Sequence, residues 1–151
     1  MALIKAGKKA PDFSLKNQDK KDISLKDLAG KKVLLSFHPL AFTGVCIDQI
    51  RELERRYKEF EAKGIVPLGI SVDPLPSKAV WAKSLYLDKL DILSDFHPLG
   101  EVAKAYGNFL EDKGISGRAN VLIDEKGKVL WSKQYEIPEL PSVDEVLEQV
   151  E

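Results

Sequence analysis

The chain has 151 residues, 44% hydrophobic and 31% charged. These are the proportions of a soluble globular protein, long enough to bury about two-thirds of its unfolded surface without staples. Its 23 basic and 24 acidic side chains leave a net charge of -1, so neither a nucleic-acid nor a membrane partner is expected. The one cysteine, Cys46, excludes an intramolecular disulfide and a cysteine-based zinc cluster, and the fold is expected not to need an oxidising compartment.

Met1 to Phe13 hold only the short apolar run Ala2-Leu3-Ile4, too short for the core of a signal peptide. No later segment approaches the ~18 apolar residues of a membrane span, and a cytoplasmic protein of one domain, 1–151, is expected. Ala10 to Leu15 and Lys21 to Leu25 flank a polar turn, which predicts an N-terminal β-hairpin. Ser24 is placed to cap a single helical turn ending before Gly30. Val33-Leu34-Leu35-Ser36-Phe37 has the length and apolar density of a central strand, stopped by Pro39.

From Ile47 the apolar residues Ile47, Ile50, Leu53, Tyr57 and Phe60 recur at spacings of three and four, predicting one helix from about Cys46 to Lys63, closed by Gly64. Cys46 falls at the helix start, where free N–H groups and the positive end of the macrodipole favour a thiolate, the reactive form. A lone cysteine elsewhere is most often a small buried hydrophobe. Ile65 to Val72 is a second near-continuous apolar run, marking a strand covered on both faces. Ser77 is the expected cap of a helix carrying Val80, Trp81 and Leu85.

A short strand is expected around Leu90 to Leu93, a helix from Leu99 to Tyr106, and a loop from Asn108 to Gly117. Ala119 to Asp124 and Lys128 to Ser132 read as a hairpin across Glu125-Lys126-Gly127. Ser142-Val143-Asp144-Glu145 is a capping box opening a final helix with Val143, Val146, Leu147 and Val150 on one face. Alternating strands and helices followed by a hairpin and helix predict an α/β fold, a three-layer α/β/α sandwich with a mixed central sheet. In such sheets functional groups gather at the carboxyl ends of strands, where the Pro39 to Cys46 loop lies.

Pro39, Thr43 and Cys46 form P-x-x-x-T-x-x-C within Pro-Leu-Ala-Phe-Thr-Gly-Val-Cys, which closely resembles the peroxidatic loop of the peroxiredoxins. Gly7 to Leu15, Ile70-Ser71-Val72-Asp73, Ser94-Asp95-Phe96 through Tyr106-Gly107, and Arg118 to Asp124 are similar to the same family, so the likeness spans nearly the whole chain. The resemblance implies a thioredoxin-like fold and a thiol peroxidase in which Cys46 is the nucleophile. Thr43 is similar to the threonine whose hydroxyl contacts thiolate and peroxide. Arg118 matches the arginine that stabilises the thiolate and binds the substrate oxygens. Pro39 shields the sulfur and fixes the loop.

Each has a plainer reading: Thr43 as a helix cap, Arg118 as a solvated surface arginine, Pro39 as a strand terminator. Gln49 departs from the glutamate that many members carry three residues after the cysteine to orient the arginine. No resolving cysteine is present, and Arg51 stands where one subgroup keeps its second thiol. The resemblance therefore implies a 1-Cys peroxiredoxin whose Cys46 sulfenic acid is reduced from outside. The donor is a low-molecular-weight thiol, a thioredoxin- or glutaredoxin-like protein, or a reductase. No cofactor or metal is expected, and a homodimer is implied.

His38 is expected to point away from the cysteine by strand alternation, and His97 lacks ligand spacing. Phe42 and Phe109 are candidates for an apolar collar around the site. The rival reading is a redox-sensing or chaperone-like binding module, which reacts once and stalls where a peroxidase turns over.

Overall fold

The computed structural model describes residues 2–150. The expected hairpin is present as β1 (Ser14–Lys16) and β2 (Asp22–Ser24), paired antiparallel. Ser24 accepts a hydrogen bond from the Asp27 N–H at the single 3-10 turn that follows. The central strand β3 (Lys32–Phe37) leads into α1 (Gly44–Arg55) and α2 (Tyr57–Ala62). After β4 (Ile65–Ser71) come α3 (Leu75–Ser84), β5 (Asp91–Ser94) and α4 (Glu101–Ala105). A short hairpin of β6 (Phe109–Leu110) and β7 (Ile115–Ser116) precedes β8 (Arg118–Ile123), β9 (Val129–Tyr135) and α5 (Val143–Glu148).

The main sheet has the order β5-β4-β3-β8-β9. β3, β4 and β5 run parallel, as strand–helix–strand crossovers require; β8 runs antiparallel to β3, and β9 antiparallel to β8. Period-two alternation divides the buried residues between two cores. Leu34 and Leu122 face one side, with Ile50 and Leu53 of α1, Phe60 of α2, Trp81 of α3 and Val146 of α5. Leu35, Phe37, Val121 and Ile123 face the other, with Val102 and Tyr106 at α4 and Ala10 and Phe13 of the N-terminal segment. This is the mixed thioredoxin-like α/β sandwich expected. Gln18 of the hairpin turn closes the β5 edge, accepting from the Ile92 N–H and donating to the Leu90 carbonyl.

Four local expectations are corrected. The helix read as continuous from Cys46 to Lys63 is interrupted at Arg56, whose φ of -101° and ψ of 16° leave the helical region. Tyr57 and Phe60 keep the apolar spacing across that break, so periodicity alone does not reveal it. Helix α3 starts two residues before Ser77. Pro74 is its N-cap residue and Pro76 sits in the first turn, where a missing N–H costs nothing. The loop Asn108 to Gly117 contains β6 and β7, too short to register as strands in the sequence. The capping box is half made: Ser142 Oγ accepts from the Glu145 N–H, but the Glu145 carboxylate turns to Lys133 and Tyr135.

Candidate active site

Strands β3 and β8 set out the site. Their register pairs Ser36 with Asn120. Alternation therefore puts Ser36 and His38 from one strand, and Arg118 and Asn120 from the other, on the face covered by α1. Gly69 of the neighbouring β4 lets that helix approach closely, since a Cβ there would meet Ile50 Cδ1 at 2.7 Å. Between β3 and α1 the loop is pinned by Asp73 just past β4, whose Oδ2 accepts from the Ala41 N–H at 2.8 Å. Pro39 is buried at its start, and Phe42 takes a left-handed φ of 66° at its turn.

Cys46 lies in the first turn of α1, fully buried. Arg118, 2% exposed, reaches it from β8, with Nη1 donating to Cys46 Sγ at 3.3 Å. The same Nη1 donates to Gln49 Oε1 at 2.6 Å, and Nε donates to the Ile137 carbonyl at 2.8 Å. The guanidinium is thus a buried, oriented cation, which removes the reading of a solvated surface arginine. Gln49 is held in turn, its Nε2 donating to Ser36 Oγ at 2.7 Å and to the Phe37 carbonyl at 3.2 Å. Ser36 Oγ donates to Asn120 Oδ1 at 2.7 Å, so a chain of polar groups runs from the sulfur to the β3–β8 pairing.

The backbone start of β8 is equally fixed. Asn108 Nδ2 donates to the Gly117 carbonyl, and Gln134 Nε2 donates to the Arg118 carbonyl, both at 3.0 Å. A Cβ at Gly117 would lie 2.6 Å from Asn108 Oδ1, so only glycine admits this approach.

Thr43 is the N-cap residue of α1 but makes no side-chain cap bond; its hydroxyl donates to the Leu40 carbonyl at 2.8 Å. That disposes of the plain capping role. The structure thus brings Arg118 against Cys46, places Thr43 three residues ahead of it, and buries Pro39 at the loop entry. Phe42 is half exposed with its ring 5.9 Å from Trp81. Phe109 belongs instead to the core on the opposite face of the sheet, so the two phenylalanines do not form one collar.

His38 is also corrected: it shares the face of Ser36 and α1. Its ring is fully buried, 5.3 Å from Trp81, and Lys78 Nζ of α3 donates to its Nε2 at 2.8 Å. Sequence reasoning passed over Lys78, Ser36 and Asn120. The signal for Lys78 was its place on the same helical stripe as Trp81 and Ala82. Among the described residues no cluster of three metal-ligating side chains occurs, and no helix is long and apolar enough to cross a membrane.

A thioredoxin-like sheet that buries an arginine against a cysteine near a helix start defines a thiol-based redox protein. The sequence profile of the AhpC/TSA family matches residues 6–132, and the chain belongs to that family, the peroxiredoxins. It is 38% identical over 132 residues to alkyl hydroperoxide reductase E of Mycobacterium tuberculosis, covering 87% of this chain and 86% of that one. To peroxiredoxin 2 of Picrophilus torridus it is 35% identical, over 95% of this chain and 73% of the relative. Among solved structures, the reduced 2-Cys peroxiredoxin of Plasmodium vivax superposes with a TM-score of 0.88 at 32% identity, over 95% of this chain and 79% of that one. Peroxidoxin BcpB from Mycobacterium tuberculosis gives a TM-score of 0.85 at 28% identity, over 97% and 96%. Family membership carries with it thiol-dependent peroxidase chemistry, with a peroxide as substrate and a thiol as reductant.

Proposed function

We propose that the chain is a 1-Cys peroxiredoxin that reduces hydrogen peroxide, organic hydroperoxides or peroxynitrite at Cys46. The observation that carries this reading is the Arg118 guanidinium held between Cys46 Sγ at 3.3 Å and Gln49 Oε1 at 2.6 Å. A fixed cation there favours the thiolate and meets the negative charge that grows on the peroxide oxygens as the O–O bond stretches.

The thiolate attacks the nearer peroxide oxygen, an S–O bond forms, the O–O bond breaks, and the departing alkoxide or hydroxide takes a proton. Cys46 becomes a sulfenic acid, and the products are an alcohol, water or nitrite. Arg118 and Thr43, whose hydroxyl turns from the Leu40 carbonyl to the substrate, supply the donors that hold the peroxide in line, and Pro39 keeps water from the sulfur. With one cysteine in the chain, the sulfenic acid condenses with an external thiol to a mixed disulfide and water. A second thiol then releases Cys46. The donor is a low-molecular-weight thiol, a thioredoxin- or glutaredoxin-like protein, or a reductase, and a homodimer acting in the cytoplasm completes the reading.

The test is stopped-flow mixing of the reduced protein with hydrogen peroxide, followed by tryptophan fluorescence and a sulfenic-acid trap. Fast oxidation that vanishes in Cys46→Ser and slows by orders of magnitude in Arg118→Ala is expected. A wild-type rate no faster than that of a free small thiol overturns the assignment and leaves a binding module in its place.

A further inference from the structure

One contact of Arg118 has no part in the proposed peroxide chemistry. While Nη1 meets Cys46 Sγ at 3.3 Å and Gln49 Oε1 at 2.6 Å, Nε donates to the Ile137 carbonyl at 2.8 Å. Ile137 lies outside the sheet, in the turn between β9 and α5, and is 40% exposed. Its side chain therefore buries little. What the residue turns inward is a backbone oxygen, and a bond from a guanidinium N–H to a carbonyl is of the stronger, charge-assisted kind.

The segment is built to hold that oxygen in place. Strands β8 and β9 pair Arg118 with Tyr135, so the two side chains stand side by side on one face of the sheet. Tyr135 is fixed there by α5: its hydroxyl donates to Glu145 Oε1 at 3.1 Å, and Glu145 Oε2 takes Lys133 Nζ at 2.7 Å. Just past Tyr135 the chain reverses. The Glu139 N–H donates to the Glu136 carbonyl at 3.0 Å, and the Glu136 N–H donates to Glu139 Oε1 at 3.2 Å. Ile137 and Pro138 are the two residues enclosed by these bonds, and the proline ring fixes its own φ.

We infer that the Ile137 carbonyl is a positioning group of the peroxidatic site, locking Arg118 Nε so that Nη1 stays aimed at the Cys46 sulfur. The inference rests on Cys46 being the peroxidatic residue. A guanidinium is a rigid plane. Held at Nη1 alone, it can pivot about its contact with Gln49; held at Nε as well, it cannot. Gln49 thus fixes the cation from α1 and Ile137 fixes it from the β9–α5 turn, and the second anchor acts on the reaction only through the first-named arginine.

The experiment weakens the acceptor and leaves the arginine intact. The Ile137–Pro138 link carries no N–H, so no hydrogen bond of the fold depends on a donor at position 138. Replacing the nitrogen of that link by oxygen leaves an ester carbonyl, a poorer acceptor than an amide. Two chains are compared, Pro138→Ala and the same chain with lactate in place of that alanine. The ester chain is expected to react with hydrogen peroxide about tenfold more slowly. Its Arg118 Nε–H signal in nitrogen-edited NMR, identified by its loss in Arg118→Lys, should exchange faster with water. In the Arg118→Lys background, which has no Nε, ester and amide chains should react at equal rates, a result that general loosening of the turn would not give.

Equal rates with Arg118 intact overturn the inference, as does the same rate ratio persisting in Arg118→Lys. If the position-138 chains do not fold, Glu139→Ala opens the turn from its side chain. It is expected to slow oxidation only where Arg118 is present, with Glu139→Gln, which keeps the acceptor, near wild type; equal slowing in Arg118→Lys overturns the inference. A wild-type rate no faster than that of a small thiol overturns the peroxidatic assignment instead, while Nε–H exchange, which needs no peroxide, reads the lock independently.

Discussion

Arg118 and Gln49 meet at 2.6 Å through the same guanidinium nitrogen that faces the Cys46 sulfur. A neutral amide is well suited to this place because it both accepts from the arginine and donates to Ser36 Oγ and the Phe37 carbonyl. Gln49→Leu removes both functions and leaves the guanidinium free to swing. The peroxide rate is expected to fall about a hundredfold, the usual scale for a misplaced catalytic group. Gln49→Glu restores the acceptor but sets a carboxylate against the Phe37 carbonyl. Its expected signature is a rate nearer wild type with stability lower by about 1–3 kcal/mol. Stopped-flow oxidation and thermal melting of the two variants side by side check both.

The catalytic role proposed for Thr43 can be tested apart from helix capping. With no cap bond at stake and only the exposed hydroxyl bond to the Leu40 carbonyl lost, Thr43→Val is expected to cost no more than about 1 kcal/mol. Its peroxide rate should fall about a hundredfold, the effect of removing one transition-state donor. Thr43→Ser keeps the hydroxyl and should stay within a few-fold of wild type. Equal losses in the two variants would show that the methyl group, not the hydroxyl, matters.

Glu54 of α1 does structural work remote from the sulfur. One carboxylate oxygen accepts from three successive N–H groups, those of Asp88, Lys89 and Leu90, at 2.9, 3.0 and 3.1 Å. Glu54→Ala leaves those donors to water and is expected to cost about 1–3 kcal/mol of unfolding free energy. Chemical denaturation measures the cost, and the peroxide rate of the folded variant should be unaltered.

Lys78 gives the stability a definite pH dependence. Its value of about 7 in the folded chain lies below the ordinary lysine value of 10.5, so between these pH values the unfolded chain binds the proton and the folded chain does not. Stability from this group therefore rises with pH through that window, and the full penalty is present below it. Lys78→Met is expected to be more stable than wild type near pH 7, by up to about 4 kcal/mol, with the gain shrinking toward pH 10. Urea unfolding at three pH values reads the trend; a lysine buried without electrostatic cost would give a gain independent of pH.

The fold was legible where pattern and punctuation agreed. The apolar run at Val33 to Phe37, the stripe from Ile47 and the turn at Gly127 each point to one structure. At the site, the motif around Cys46 named the loop, but the support behind it could not be read. Strand β3 is buried on both faces, so alternation offers no contrast to say which face His38 takes. The links from Gln49 to Ser36 and from Ser36 to Asn120 exist only once β8 pairs with β3, residues 84 positions apart in the latter link. Arg56 breaks the helix without a glycine or proline to announce it.

The complete burial of Cys46 bears on timing. A peroxide is far smaller than a protein donor, which must bring its own sulfur to within bonding distance of one that shows no surface. On the proposed mechanism, reduction by a protein donor requires the first turn of α1 to open. As donor concentration rises, the recycling rate should level off at the frequency of that opening, and beyond that point a better donor gains nothing. Peroxide removal at high supply would then be limited by a motion of the enzyme itself.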